Sequence, residues 1–317
     1  MDVYFYEAFA EEERELRAAL PATVTAGFTG KTIQEAGDAR PPARLISIRT
    51  QSAIPATWHG ALAGILSRTT GYDTVRGLPV PCGHLPLYCH RAVAEQALLL
   101  WLALLRKLTE QVQHFATFNR DGLTGSECAG KNLLVVGVGH IGGEVVKIGT
   151  GLGMNVRRVD LLPARADTGI ADGLPWADII VCSMNLTDQN AGYFNAARLR
   201  QAKRGAIFVN VARGELSPTA DLARLLDEGH LGGVGLDVYD KEKELAVALR
   251  NAAGRGGDAA PTLPILELAG RANVICTPHN AFNTHEAVVR KSVQSAQSVV
   301  EFLKSGRFPW PVSSTGA

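Results

Sequence analysis

The sequence predicts an α/β fold in two domains, each built on a parallel sheet. The chain has 317 residues, which is more than one hydrophobic core usually supports. Short apolar runs alternate with helical stretches along the chain, which is typical of parallel strands covered by helices on both faces. A glycine-rich turn at residues 137–142 follows one of these buried runs and precedes a helical stretch.

The composition narrows the class of protein. Hydrophobic residues make up 46% of the chain and charged residues 20%, which is typical of a folded globular protein. The 32 basic and 31 acidic side chains nearly cancel, so we expect neither a nucleic acid nor an anionic membrane as a partner. The longest apolar run, Ala97–Leu105, has nine residues, whereas a membrane-spanning helix needs about 20.

The cysteines and the first residues predict the compartment. The five cysteines are scattered, their number is odd and no pair has C-x-x-C spacing, so neither a disulfide framework nor a metal site is indicated. The stretch MDVYFYEAFAEEERE is acidic from its second residue, unlike a secretory signal. We therefore expect a cytoplasmic protein with reduced thiols.

The first 88 residues predict short strands and one charged helix. The helix is predicted over Glu11–Leu20 and ends at Pro21. Three apolar runs predict strands, and a fourth run consists of small apolar residues: Val3–Tyr6, Thr23–Gly27, Arg44–Ile48 and Ala61–Ser67.

A long helix is predicted over His90–Phe118. Its core, AVAEQALLLWLALLRKL, is apolar on nearly all sides. Since such a helix has no polar face for solvent, we expect it to be buried all round, between the domains or in a subunit contact.

From Asn132 onward the pattern is strictly β-α-β. The predicted strands are LLVV before the glycine turn, Val156–Asp160, Ile179–Ser183, Ile207–Val211, Val234–Val238 and Val274–Thr277. The segment AAGRGGDAAPTLP, which includes Gly254–Pro261, predicts a loop. A helix is predicted over Glu286–Leu303, after which PWPVSSTGA should fray.

The turn GVGHIG at residues 137–142 has the G-x-G-x-x-G pattern. Gly137 permits the tight turn, Gly139 lets a pyrophosphate approach the backbone, and Gly142 lets helix and strand pack closely. The helix N-terminus offers free N–H groups to the phosphates. Asp160, 18 residues after Gly142, can accept hydrogen bonds from a ribose and would repel a 2′-phosphate. The predicted cofactor is therefore NAD(H) rather than NADP.

Three segments downstream carry reactive side chains next to predicted strands. VNVARGEL contains Arg213, GLDVYDKE contains Asp237 and Glu242, and NVICTPHNAF contains His279. Because parallel strands end at the same edge of a sheet, these side chains can converge there. An arginine can bind a carboxylate and polarise a carbonyl, and an imidazole can transfer a proton near neutral pH.

Together with the glycine turn, these motifs resemble the D-isomer-specific 2-hydroxyacid dehydrogenase family, in particular its D-lactate dehydrogenase and VanH-like branch. The resemblance extends from about Thr69 to Phe282, with G-x-G-x-x-G, N-x-A-R-G, G-x-D-V-x-x-x-E and T-P-H in the family's order. It implies a Rossmann dinucleotide-binding domain at residues 89–279, inserted in a flavodoxin-like substrate domain formed by residues 1–88 and 280–317. It also implies a homodimer and an active site in the cleft between the domains.

The resemblance implies a role for each catalytic side chain. Arg213 would clamp a small 2-oxo acid, and His279 would be the acid or base in its interconversion with the D-2-hydroxy acid. Glu242 would hydrogen-bond to His279, orient it and stabilise its protonated form. The neighbouring carboxylates Asp240 and Glu244 are weaker candidates for that role.

The other site residues are also implied by the resemblance. The backbone N–H groups of Thr70 and Gly71 and the side chain of Tyr88 would hold the substrate carboxylate. Phe282 would line the side-chain pocket, which favours a small substrate such as pyruvate. Besides the glycines and Asp160, the implied cofactor contacts are His140, Ile141, Asn185, Val211, Ala212 and Asp237.

The chain departs from the family's pattern in three places. Where the family usually has His-x-Pro-Leu-Thr, residues 183–187 read SMNLT, so the backbone of that wall of the nicotinamide pocket is expected to differ. Residues 215–217 read ELS in place of Leu-Val-Asp, and Thr70 replaces an aliphatic residue common in the lactate branch. These departures affect the identity of the substrate more than the type of reaction.

Two other functions stay open. An NAD(H)-sensing, corepressor-like binding protein would bind NADH tightly and reduce nothing quickly, although Arg213, Glu242 and His279 argue against it. A formate or phosphite dehydrogenase on the same scaffold is the other alternative. Glu242 stands where the formate branch has glutamine, and TTGYDT at residues 69–74 lacks the lysine that the phosphite branch would need.

Overall fold

The chain folds into two compact units. A computed structural model describes residues 1–254 and 264–312. The first unit consists of Met1–Cys89 and the residues from Phe282 onward, and we call it the terminal unit. The second consists of His90–Ala281, and we call it the central unit.

The terminal unit contains a five-stranded parallel sheet in the order β2-β1-β3-β4-β5. Its strands are β1 (Val3–Phe5), β2 (Ala26–Phe28), β3 (Leu45–Ile48), β4 (Gly64–Ser67) and β5 (Cys82–Gly83). This is the flavodoxin-like order, as predicted. The strand order reverses between β1 and β3, so the carboxyl ends of these two strands flank the point at which such sheets bind ligands.

The described residues of the terminal unit form three α-helices: α1 (Ala10–Ala19), α2 (Ile33–Ala36) and α11 (His285–Ser305). Three glutamates in the first turn of α1 and Arg17 in its last turn suit the helix dipole. Leu16 and, unusually, Glu12 are the buried residues of this helix. Helices α1 and α11 pack against each other, so the two ends of the sequence meet in one core.

The central unit contains a six-stranded parallel sheet in the order β11-β10-β9-β8-β6-β7. Its strands are β6 (Asn132–Val136), β7 (Asn155–Val159), β8 (Ile179–Cys182), β9 (Ala206–Asn210), β10 (Leu231–Leu236) and β11 (Val274–Cys276). Strands β8 and β9 are buried at every position, as central strands covered on both faces must be. The doubly wound arrangement is confirmed, and its order reverses between β6 and β8.

The helices of the central unit connect or flank these strands. They are α3 (His90–Leu105), α4 (Leu108–His114), α5 (His140–Gly151), α6 (Ile170–Gly173), α7 (Ala196–Leu199), α8 (Thr219–Asp227), α9 (Glu242–Gly254) and α10 (Pro264–Ala269).

The prediction of a single helix over His90–Phe118 is wrong. Helix α3 ends at Leu105, and Lys107 then adopts a left-handed φ of 50° before α4 begins. The break has a tertiary cause, because Ser126 donates its N–H to the Leu105 carbonyl at 2.8 Å and so caps α3. The local sequence of the helix does not predict this cap, because the capping residue belongs to a later segment of the chain.

Within a single chain, this region is not buried all round. Six large apolar side chains, 37% to 78% exposed, recur along α3, α4 and the turn that follows, and we call them the apolar strip: Leu99, Leu102, Leu108, Val112, Phe115 and Phe118. No residue of α4 is buried. Across the part of the chain that the structure describes, no helix combines the length and apolarity needed to cross a membrane.

Three smaller predictions need correction. The second strand begins at Ala26 rather than Thr23, since the Asp2 carboxylate accepts the Thr25 N–H at 2.7 Å and holds the chain before the strand. The tail does not fray as far as residue 312, because Pro311 pairs with Gly83. Of the predicted loop, residues 252–254 lie in α9 and residue 264 in α10, and the rest of Gly254–Pro261 lies outside the described residues.

Candidate active site

The glycine turn between β6 and α5 requires glycine at two positions. Gly137 has a φ of 90°, and a Cβ there would lie 2.5 Å from the Cα of Met184. A Cβ on Gly142 would lie 2.0 Å from the Gly137 carbonyl oxygen. A Cβ on Gly139, by contrast, would meet nothing within 4 Å. The turn therefore packs tightly on its inner side and is open over Gly139.

This geometry fits the pyrophosphate of a dinucleotide. Helix α5 begins at His140 and has no side-chain hydrogen bond at its N-cap, so its first N–H groups are available to an anion. His140 is exposed and Ile141 is half-buried. The open space over Gly139 and the uncapped N–H groups supply the room and the donors that a phosphate needs.

Asp160 lies at the carboxyl end of β7 and is fixed beside the glycine turn. Its Oδ2 accepts the Val138 N–H at 2.6 Å, and its Oδ1 accepts the Leu162 N–H at 2.9 Å. Each carboxylate oxygen has a second lone pair, so the side chain can still accept hydrogen bonds from a ribose.

The segment SMNLT at residues 183–187, which differs from the family's usual pattern, packs against the same turn. The Ser183 hydroxyl donates to the Gly137 carbonyl at 2.7 Å, and the Met184 backbone packs against Gly137. Asn185 is exposed, and its carbonyl accepts the side-chain amide of Asn190 at 2.8 Å. Ser183 therefore ties the end of β8 to the end of β6, across the point where the strand order reverses.

The loop after β9 holds Arg213 at the carboxyl edge of the sheet. The buried Asn210 side chain donates to the Arg213 carbonyl at 2.8 Å and accepts the Ala212 N–H at 3.0 Å. Arg213 Nη1 donates to the Ala212 carbonyl at 2.8 Å, and Val211 is buried beneath this loop. The asparagine thus fixes the backbone on which the arginine stands.

His279 and Glu242 form a hydrogen bond, as predicted from the resemblance. His279 Nδ1 lies 2.6 Å from Glu242 Oε1, and the two side chains are 22% and 18% exposed. Glu242 lies in the first turn of α9, and His279 follows β11 with a left-handed φ of 49°. With Nδ1 bound to the carboxylate, Nε2 is the nitrogen left to exchange a proton with a substrate.

Asp237 holds the segment that carries His279. Its buried carboxylate accepts the Thr277 hydroxyl at 2.6 Å and the N–H groups of Asn280 and Ala281 at 2.9 and 2.8 Å. Burial raises the pKa of Asp237, and these hydrogen bonds partly offset that rise. The structure therefore gives Asp237 a role in positioning His279. The resemblance implies only a contact with the cofactor for this residue.

Two residues that the sequence reasoning missed join the site loops to one another. The Tyr239 hydroxyl donates to the Thr277 carbonyl at 2.6 Å. A Cβ on Gly214 would lie 1.8 Å from the Tyr239 carbonyl carbon, so the Arg213 loop packs directly on the loop after β10. The motifs N-x-A-R-G and G-x-D-V-x-x-x-E contain or adjoin these residues, but spacing alone does not reveal their contact.

The expected substrate residues all lie in the terminal unit. Thr70 and Gly71 follow β4 and are half-buried, and their backbone N–H groups find no acceptor among residues 1–254 and 264–312. Tyr88 and Phe282 are buried and their ring centroids lie 6.5 Å apart. Burial raises the pKa of Tyr88 well above its usual value, which keeps its hydroxyl able to donate to a carboxylate.

The sequence is similar to known dehydrogenases. Residues 98–281 match the family model described as D-isomer specific 2-hydroxyacid dehydrogenase, NAD binding domain. The D-2-hydroxyacid dehydrogenase (NAD+) of Lacticaseibacillus paracasei is 33% identical over 232 residues, covering 70% of this chain and 68% of that protein. The D-lactate dehydrogenase of Escherichia coli (strain K12) is 30% identical over 246 residues, covering 75% and 73%.

Solved structures extend the similarity to the whole chain. A D-2-hydroxyisocaproate dehydrogenase matches with a TM-score of 0.83 and 26% identity, over 99% of this chain and 100% of that one. The D-lactate dehydrogenase from Aquifex aeolicus, solved with NAD and lactic acid, matches with a TM-score of 0.82 over the same shares. Since the second is only 24% identical, it supports the fold alone.

Proposed function

The chain belongs to the D-isomer specific 2-hydroxyacid dehydrogenase family, and from this premise we propose that it interconverts a 2-oxo acid and the D-2-hydroxy acid with NAD(H). In the reductive direction, a 2-oxo acid, NADH and a proton give the D-2-hydroxy acid and NAD⁺. The observation that carries the proposal is the 2.6 Å hydrogen bond between His279 and Glu242, in the same unit as the glycine turn.

His279 would be the acid and base of the reaction. The nicotinamide, when bound, supplies the hydride for reduction or accepts it in oxidation. In reduction His279 would give its Nε2 proton to the carbonyl oxygen, and in oxidation it would take the hydroxyl proton back. Glu242, held on Nδ1, would stabilise the imidazolium and orient the ring.

Arg213 would bind the substrate and stabilise the charge that develops on it. Its planar guanidinium can engage a carboxylate oxygen and the reacting carbonyl oxygen together. Thr70 and Gly71 would donate their backbone N–H groups to the substrate carboxylate, and Tyr88 its hydroxyl. The two N–H groups without an acceptor in the described chain support this assignment.

The glycine turn and its surroundings would hold the cofactor. Gly139 and the first N–H groups of α5 would bind the pyrophosphate, and Asp160 the adenosine ribose. The other residues proposed to contact the cofactor are Gly137, Gly142, His140, Ile141, Asn185, Val211, Ala212 and Asp237.

The apolar strip would be the contact with a second copy of the chain. Exposed apolar side chains concentrated on consecutive elements are typical of a protein–protein contact, and six of them occur here. Sedimentation velocity should give twice the mass of one chain, and Val112→Ser with Phe115→Ser should shift it toward the monomer. Leu161→Ser is the matched control, since Leu161 is exposed outside the strip.

NADH consumption with a panel of 2-oxo acids tests the activity. The panel comprises pyruvate, hydroxypyruvate, glyoxylate, 2-oxobutyrate, phenylpyruvate and 2-oxoisocaproate, with NADPH as the control cofactor. Turnover of any member, and D-configuration of its product, supports the proposal. Tight NADH binding without turnover of any 2-oxo acid would contradict it and favour the NAD(H)-sensing alternative.

A further inference from the structure

Arg49 lies at the ligand-binding edge of the sheet in the terminal unit. It directly follows β3, beside the reversal of strand order between β1 and β3. The carbon of its guanidinium lies 4.4 Å from the ring centroid of Phe282 and 5.5 Å from that of Phe9. The side chain is half-buried, and in the described part of the chain no carboxylate comes within 4.0 Å of its guanidinium.

A second cation lies against the same ring. Lys291, on α11, is fully buried, and its Nζ lies 4.6 Å from the ring centroid of Phe282, 5.1 Å from that of Phe9 and 5.8 Å from that of Tyr88. Its ion-pair partner is Glu12, whose Oε1 is 2.9 Å away. Within residues 1–254 and 264–312, Nζ makes no further polar contact, although an ammonium has three N–H donors.

Two carboxylates lie near these cations, and each already has partners, although Oε2 of Glu12 finds no hydrogen-bond partner in the described part of the chain. The same oxygen of Glu12 also accepts Arg68 Nε at 2.9 Å. Glu7 accepts three backbone N–H groups, including that of Arg49. The charged groups of this cluster are three cations and two carboxylates: Arg49, Arg68, Lys291, Glu7 and Glu12. The cluster therefore carries an excess of positive charge.

From this cluster we infer that the substrate is a 2-oxo dicarboxylic acid, whose side-chain carboxylate binds Arg49 and is attracted by Lys291. The inference rests on the proposed function, in which Phe282 lines the side-chain pocket. The Phe282 ring by itself favours a small monocarboxylic acid, but two cations lie on that ring and neither has its charge fully paired. An anionic group on the substrate would supply the missing partner, and a guanidinium binds a carboxylate in a fork geometry.

The two cations have different parts in this recognition. Arg49 is half-buried and can touch a substrate, whereas Lys291 is fully buried and acts through its charge. Burial lowers the pKa of Lys291 to about 7, and the positive charges of Arg49 and Arg68 add to this effect, while Glu12 opposes it. The ammonium form would thus be favoured by an additional anion nearby.

Matched substrate pairs test the inference. We would measure kcat/KM for 2-oxoglutarate against 2-oxopentanoate, and for fresh oxaloacetate against 2-oxobutyrate. The dicarboxylate of at least one pair should exceed its monocarboxylic partner about tenfold or more. Arg49→Gln should reduce kcat/KM for that dicarboxylate about 30-fold and change the monocarboxylate less than about threefold, because a charge-assisted hydrogen bond is lost.

The controls separate recognition from folding. Arg49→Lys keeps the charge and should recover part of the dicarboxylate preference. Arg17→Gln removes an arginine that lies 4.3 Å from the Phe28 ring centroid in the same unit, and it should leave both substrates unchanged. Lys291→Met should weaken the preference about threefold to tenfold, without a matching loss for the monocarboxylate.

The outcomes distinguish this inference from the proposed function. If monocarboxylates are reduced as well as or better than both dicarboxylates, the inference is overturned and the proposed function stands. An equal loss for both members of a pair in Arg49→Gln would also overturn it. If no 2-oxo acid of either class is reduced, the proposed function itself fails.

Discussion

Each unit contains a basic side chain paired with a glutamate, and the two pairs differ in exposure. In the central unit, His279 and Glu242 are 2.6 Å apart and 22% and 18% exposed. In the terminal unit, Lys291 and Glu12 are 2.9 Å apart and both are fully buried. The chemistry of the partners is similar, so the difference in function must come from their surroundings.

Partial exposure allows proton exchange with a ligand, whereas complete burial shifts the pKa values of both partners. A group that reaches a ligand can give or take a proton at each turnover. The buried pair instead shows large pKa shifts: neighbouring cations hold the pKa of Glu12 at about 2, and burial brings that of Lys291 to about 7. We therefore expect the partly exposed pair, His279 and Glu242, to govern the reaction rate. We expect the buried pair, Lys291 and Glu12, to govern the stability of the fold and the local electrostatic potential.

The largest expected effect is on the exposed pair. His279→Ala should reduce kcat for 2-oxo acid reduction about 100-fold or more, because the proton donor is lost. NADH affinity, measured by fluorescence titration, should stay within about twofold. Turnover at the original rate would remove His279 from the mechanism.

Two variants serve as controls for that effect. Glu242→Gln keeps a hydrogen-bond acceptor on His279 but removes the charge, so we expect a smaller loss of about tenfold in kcat. His285→Ala removes an exposed histidine at the start of α11 and should leave turnover unchanged.

Substitution of the buried pair should change the stability of the fold rather than the rate of proton transfer. Glu12→Gln leaves Arg68 and Lys291 without their shared anion, so we expect a loss of about 3 kcal/mol in the free energy of unfolding. The urea midpoint of the terminal unit, followed by hydrogen exchange, measures this loss. Glu13→Gln on the same helix breaks an exposed pair with Arg17 and should cost less than about 1 kcal/mol.

The pH dependence of the same pair has a definite sign. The pKa of Glu12 falls from 4.5 to about 2 on folding, so its contribution to stability is complete above pH 4.5 and is lost as the pH falls toward 2. Glu12→Gln should lack this part of the acid dependence. Equal midpoint shifts for Glu12→Gln and Glu13→Gln would mean that the buried pair has no special role.

The same comparison shows which features a sequence can predict. The glycine turn, Asp160, and the strand ends that carry Arg213 and His279 follow from short motifs whose residues are neighbours in the chain. Their positions along a parallel sheet also follow from the β-α-β pattern. The pairing of His279 with Glu242 required the family's motif, because spacing alone left two other carboxylates nearby.

Features that depend on distant segments could not be predicted in this way. Glu12 lies in an acid-rich stretch that suggests a solvated helix, and it meets Lys291 only because α1 packs against α11. The break after α3 depends on a hydrogen bond from Ser126. Whether the apolar strip is exposed depends on whether another part of the protein packs against it. Sequence periodicity specifies which side of a helix is apolar, but not which surface that side contacts.

Asp160 extends the comparison to a third carboxylate, and here we expect the smallest effect. It is half-buried and its described partners are the backbone N–H groups of Val138 and Leu162, so it has neither a basic partner nor full burial. Asp160→Ala should reduce the ratio of kcat/KM for NADH over NADPH by about tenfold, because ribose hydrogen bonds and repulsion of a 2′-phosphate are both lost. Asp160→Asn keeps an acceptor for one N–H group and should give a smaller reduction. If the ratio does not change in either variant, another group reads the ribose, and Asp160 serves only to fix the glycine turn.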